Sequence, residues 1–307
     1  MIHVTGIGGI SAKIVADSIS GNNRITTFEI EFPRIILSEN NTHKMISKNS
    51  SSTRAIPLAS QIDLMTNSHY VPTPFTKNQA GMSANDIVED QEGCREIWER
   101  AFNNAKQSVQ ELMAKNVHKQ HAGRLLEPFQ MMKVITTATE WDNFFWLRND
   151  ENAQPEIANL AQCMLTAINS STPIVLQSGE WHLPYYENGY WKPHFDKISL
   201  ENAIKISSSQ CAQVSYRKSD DSLEKAINLY DKLINSNKVH GSPFEHQATP
   251  MYLTNSANDR MDVSTWEPGT THMDNGFDLW SANFCGWVQY RKLIKNNYCM
   301  NYSGLLK

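Results

Sequence analysis

Residues 42–54 hold the densest set of groups able to grip an anion beside a heteroaromatic ring: His43, Lys44, Ser47, Lys48, Asn49, Ser50, Ser52 and Arg54. Cations supply charge, while hydroxyls and backbone amides supply fitted hydrogen bonds. The same composition also makes a solvated Ser/Asn turn, and the segment alone leaves both readings open. Three further groups share this ambiguity. Arg124 stands in GRLLEPF (123–129), and Asn143 and Arg148 stand in the aromatic stretch TEWDNFFWLR (139–148). An arginine in such company either lays its stem over apolar surface or serves as a buried anion ligand. His240 and His246 bracket HGSPFEH, where a histidine can be a satisfied turn residue or a ligand.

Other chemistries find less support. Five cysteines without CxxC spacing fit reduced, packed thiols better than a disulfide frame or a zinc site. His118 and His121, three apart on a helix, lack a third ligand at metal spacing, so no metal is expected. Gly6-Ile7-Gly8-Gly9 lacks the strand and the spacing of a dinucleotide loop. The net charge of −4 argues against a broad nucleic-acid-binding face, yet it is compatible with a local anion site. No apolar run reaches the roughly eighteen residues of a membrane span, and the N-terminal residues lack signal-peptide character. A cytoplasmic protein with no membrane partner is the expectation.

The elements that must position these groups follow from periodicity. Residues 25–37 alternate, with Phe28, Ile30 and Phe32 on one face and Thr27, Glu29 and Glu31 on the other, as in a half-buried strand that Pro33 ends or bends. A long irregular segment is expected from 38 to about 85. Apolar spacing predicts helices over 86–116, 130–147, 154–169, 199–213 and 221–236, the last opened by Asp221-x-x-Glu224. The fold class is therefore α+β, helix-rich with an antiparallel sheet. The Pro/Gly/aromatic stretch 173–196 divides a signature-bearing half (1–172) from a second half (173–307), and the two can pack as one continuous domain. Lys44–Asn49 faintly echoes Lys292–Asn296, a hint of two related halves.

Taken together, the four polar groups resemble the flavin-dependent thymidylate synthases. The family signature RHRxxSxNExSxRY aligns with Thr42-His43-Lys44, Ser47, Asn49-Ser50, Ser52 and Arg54-Ala55. The ARxxLP element aligns with Gly123-Arg124 through Pro128, and the N-x4-R helix with Asn143 and Arg148. SPFEH is intact at 242–246, and the segment from Cys211 to His246 is similar to the family's N-terminal part, so the order is permuted. Thr42 and Lys44 stand where the family has arginine, Ser50 where it has glutamate and Ala55 where it has tyrosine.

The resemblance implies a thymidylate synthase-like fold and a homo-oligomer with its active site between subunits. It further implies C5 methylation of dUMP with FAD, methylenetetrahydrofolate and NADPH. Nucleotide contacts are implied at Ser50, Ser52, Arg54, Arg124 and Arg148, with Ser52 and Arg148 catalytic. Glu39, just ahead of the signature, carries a carboxylate that can accept a hydrogen bond from an exocyclic amine. Flavin contacts are implied at His43, Lys44, Asn143, His240 and Ser242. Hydroxymethylation of dUMP or dCMP, and a non-catalytic nucleotide-binding homologue, are the alternatives.

Overall fold

A short β1 (His3–Thr5) leads into β2 (Ser11–Ser20), and Gly21, at φ +56°, turns the chain tightly into β3 (Asn23–Pro33). The computed structural model describes residues 2–51, 56–80, 86–214, 222–235, 239–252 and 260–299; Ser52, Arg54 and Asp221 lie outside these ranges. After β3 come α1 (Leu37–Asn41), β4 (Ser47–Ser50), α2 (Leu58–Asn67), α3 (Gln91–Ala114), α4 (Lys119–Ala122) and a 3-10 stretch, Gly123–Phe129. Then follow β5 (Met131–Ala138), α5 (Asp142–Arg148), α6 (Pro155–Asn169) and β6 (Ile174–Val175). The main sheet runs β1-β2-β3-β5-β4, with β6 pairing in parallel to β2.

Its two faces are covered differently. Ile14, Phe28, Ile30, Phe32 and Val134 pack against Ile157, Leu160, Ala161 and Met164 of α6. Each large apolar side chain buried there contributes about 1.5–3 kcal/mol. The opposite face carries Thr27, Ile135 and Thr137, and the second half of the chain covers it. Thr27 is fully buried, so β3 is covered on both faces where the alternation predicted one. That half supplies β7 (Trp181–His182), β8 (Tyr190–Trp191), the helices α7 (Leu200–Ala212) and α8 (Leu223–Ile234), and β9 (Ala248–Pro250). β10 (His272–Met273), β11 (Leu279–Ser281) and β12 (Phe284–Cys285) make a small sheet, and β13 (Trp287–Gln289) joins β9. Ile25 of β3 shares a core with Leu176, Ala248, Phe284 and Trp287, so the halves meet in apolar contact.

Several expectations need correction. Residues 130–147 are not one helix: the β-branched run Val134-Ile135-Thr136-Thr137 makes β5, and only 142–148 are helical. The segment 38–85 is more regular than expected, since it holds α1, β4 and α2, the last with Leu58, Ile62 and Met65 buried at helical spacing. α3 starts at Gln91, where the Asp90 carboxylate accepts the Gly93 N–H at 2.9 Å. Ser222 is the N-cap of α8. Lys44–Asn49 is a turn entering a strand, whereas Lys292–Asn296 is a helix end entering a turn, so the echo has no structural counterpart.

Candidate functional site

The signature strand β4 is short, polar and held from outside. Among the described residues it pairs only with β5, Ser47 opposite Thr137 and Ser50 opposite Val134. The second half clamps it. Asn49 Nδ2 donates to the Cys211 carbonyl at 2.8 Å, and Ser242 Oγ donates to Asn49 Oδ1 at 2.9 Å. At the tip between β11 and β12, Ala282 takes a φ of +54°, and Asn283 Nδ2 donates to the Met45 carbonyl at 2.9 Å. Gln289 Nε2 donates to Ser47 Oγ at 3.3 Å. Ser242 thus reaches the signature as a neighbour of Asn49.

Behind the strand runs a buried chain of five groups. Ser18 Oγ meets His182 Nδ1 at 2.9 Å, and His182 Nε2 meets Thr27 Oγ1 at 2.8 Å. Thr27 meets Thr137 at 2.8 Å, and Thr137 meets His246 Nδ1 at 2.9 Å. Burial pushes both histidines down to about 3, so both rings are neutral. Among the described residues His246 Nε2 has no partner, and none of them would accept a proton added to that nitrogen. Since Thr137 is also the backbone partner of Ser47, this chain ties His246 of SPFEH to the start of the signature strand.

At that end of β4 lies a cavity of about 310 Å³ lined by Thr42, His43, Lys44, Met45, Ile46, Glu140, Asn143, Phe144 and Leu147. Arg148 stands beside it: its Nε donates to His43 Nε2 at 2.9 Å and its NH2 to Thr42 Oγ1 at 3.0 Å. A guanidinium can only donate, so His43 is neutral with its proton on Nδ1. Burial lowers His43 to about 4, with Arg148 and Lys48 adding to the effect. Lys48 is lowered to about 8 by burial, then by Lys44, while its ammonium donates to the backbone carbonyls of His43 and Ile46. Among the described residues none of Lys44, Lys48 or Arg148 has a carboxylate within ion-pair distance. Cations crowded together without an acid make a site for an anion. On the far wall, partial burial and the carboxylates of Asp142, Asp278 and Asp274 push Glu140 up.

The other end of β4 opens on different chemistry. A cavity of about 240 Å³ is lined by Glu31, Arg34, Ser51, Ile56, Gln61, Leu64, Met65, Ser68, Gln130, Met131, Met132 and Lys133. Glu127 Oε1 receives both Arg34 NH2, at 2.9 Å, and Arg124 NH1, at 2.6 Å. Buried Gln61 and Gln130 meet through their amides at 3.3 Å, and Ser51 N donates to the Lys133 carbonyl at 2.9 Å.

The structure therefore brings His43, Lys44, Asn143 and Arg148 together at one end of β4, and Ser50 and Arg124 near the other. Arg124 and Arg148 flank β5, whose ends are roughly 24 Å apart at strand rise, and neither cavity described above is lined by both. Glu39 lies on α1, where Ser38 Oγ donates to it at 2.8 Å. His240 is exposed, its backbone N–H bonded to the Leu233 carbonyl. Arg34, Asn283 and His182 were not singled out from the sequence. Only Arg34, placed directly after the Pro33 stop of β3, had a local signal that could have drawn attention.

Residues 24–174 match the family described as thymidylate synthase complementing protein. Among solved structures, a UMP/dUMP methylase PolB from Streptomyces cacaoi, bound with 5-Br dUMP, is similar at 18% identity and a TM-score of 0.40. That similarity covers 47% of this chain and 65% of the other, so the chain spans just under two thirds of that protein's length. No curated protein matches the chain.

Proposed function

Because residues 24–174 match the thymidylate synthase complementing protein family, we propose that this chain is an enzyme adding a one-carbon unit to C5 of a pyrimidine nucleotide. The favoured reaction is methylation of dUMP with FAD, methylenetetrahydrofolate and NADPH. The observation that carries the reading is the pair of cavities at the two ends of β4: one with Lys44 in its lining and Lys48 and Arg148 beside it, opposite Glu140, the other lined by Arg34, which shares Glu127 with Arg124, over methionines and amides.

The first cavity suits a flavin. Its cation cluster fits a phosphate, and about 310 Å³ takes one end of a dinucleotide. His43, Lys44 and Asn143 would hold it, with Ser242 and His240 contributed by the segment that Asn49 anchors. A bound flavin would supply the hydride that turns a one-carbon unit on the ring into a methyl group. Ser50, Ser52, Arg54 and Arg124 are the proposed nucleotide ligands, with Glu39 near an exocyclic amine. Arg148 and Ser52 are the proposed catalytic groups, Arg148 by setting positive charge against the charge that develops on the uracil ring. A single nucleotide touching both Arg124 and Arg148 would take them from two copies of the chain, so a homo-oligomer belongs to this proposal.

Incubating the purified chain with dUMP, FAD, methylenetetrahydrofolate and NADPH tests it, with the nucleotide product weighed by mass spectrometry. The expected product is dUMP plus a methylene's mass. A product heavier by one further oxygen means hydroxymethylation, and unchanged dUMP under every reductant overturns the enzyme reading.

A further inference from the structure

The stretch that divides the halves forms, with Ile206 of α7, a cleft that belongs to neither end of β4. Its volume is about 650 Å³, and none of its lining residues lines either cavity described above. That volume falls within the roughly 300–1,000 Å³ of small-ligand sites. Tyr185, Tyr186, Tyr190 and Phe195 give the lining four aromatic rings. Phe195 is 85% exposed, on a turn where His194 takes a φ of +68°. Tyr185 and Glu187 also take left-handed backbone, at +64° and +41°, a conformation that side chains with a Cβ adopt rarely and that gathers at ligand clamps.

The polar groups say what kind of ligand the rings would meet. Tyr186 Oη donates to Asp196 Oδ1 at 2.8 Å and Tyr185 Oη to Glu29 Oε2 at 2.6 Å, so both hydroxyls are committed and those two residues offer aromatic surface. Asp196 Oδ2 accepts the Lys192 backbone N–H at 2.7 Å, so that carboxylate is engaged as well. Glu187 has no ion-pair partner among the described residues. With the carboxylates of Glu187 and Asp196 against the ammonium of Lys197, the lining carries one excess negative charge, which repels a phosphate and draws a cation. Lys192 Nζ already lies 5.9 Å from the centroid of the Tyr190 ring, so this wall attracts an ammonium within the folded chain itself. A methylated ammonium asks no hydrogen bond of such walls: its methyl groups pack on the rings while its charge is answered by the carboxylate.

We propose that this cleft binds a small quaternary ammonium ion of the choline type, packed against Tyr190 and Phe195 with Glu187 as its counter-charge. The site is separate from the nucleotide and flavin reading above and does not rest on it.

Calorimetric titration of the full chain with choline and with 3,3-dimethyl-1-butanol, the neutral molecule of the same shape, tests it. Choline is expected to bind about tenfold more tightly than the alcohol. Glu187 and Phe195 are both exposed, so Glu187→Gln and Phe195→Ala should leave the melting temperature unmoved. Each should weaken choline about threefold to tenfold, and Glu187→Gln should leave the alcohol unchanged. Equal affinities for choline and the alcohol overturn the inference, as does unchanged choline affinity in either variant or wild-type protein that takes up no choline.

Discussion

The two ends of β4 are built on opposite terms. At the His43 end, among the described residues, the cations gather without an ion-paired acid, and β4 and its turn are held by Asn283, Gln289, Ser242 and Cys211 from the second half. At the Arg34 end the charges are nearly balanced. Both cavities are lined by the first half, and the second half acts through the hydrogen bonds it gives to β4 and the turn before it. Its role is to hold a polar four-residue strand that could not stand on one pairing alone, and to crowd like charges that would otherwise disperse.

The largest expected effect comes from the buried histidines through which the second half grips the sheet. Both are neutral in the folded chain at about 3 and would protonate below 6.5 once unfolded. Stability is therefore complete above pH 6.5 and is lost as pH falls toward 3, by up to about 1.4 kcal/mol per pH unit for each ring. Denaturant midpoints between pH 7 and 4.5 should fall steeply. His246→Ala should lower the unfolding free energy at pH 7 by about 2–4 kcal/mol and flatten that slope. An unchanged slope would mean that the ring does not titrate as its burial requires.

Next in size is the cation cluster. A bound anion favours charged Lys48, which loses its proton near 8, so FAD affinity should decline as pH rises through that value. Lys48→Gln should weaken FAD about tenfold and remove the pH dependence, read by flavin fluorescence. Smaller still is the clamp. Asn283→Ala removes the donor to Met45 and should cost about 1 kcal/mol of stability. It should also weaken FAD severalfold, with dUMP affinity unmoved because no lining residue of the Arg34 cavity touches it. Equal losses for both ligands would erase the contrast between the two ends.

Much of the fold was legible where a segment's own pattern decides it. β3 alternates, and α6, α7 and α8 carry apolar residues at helical spacing. Failures came where distant partners decide. β4 reads as a Ser/Asn loop because the ladder that makes it a strand belongs to β5. β5 was read as helix because its apolar positions suit either period, although Val134 through Thr137 is a β-branched run. The site divides in the same way. His43, Lys44, Asn143 and Arg148 were named from motif types, and the structure gathers them at one cavity. The pairing of Arg34 with Glu127 and the reach of Asn283 to Met45 leave no local trace, since each joins residues far apart in sequence.

A titration of the wild-type chain with FAD, run with and without saturating dUMP, tests the two-cavity account most directly. If the ends of β4 hold different ligands, FAD should bind equally well or more tightly when dUMP is present. Displacement of FAD by dUMP, or no uptake of FAD in either case, would contradict it.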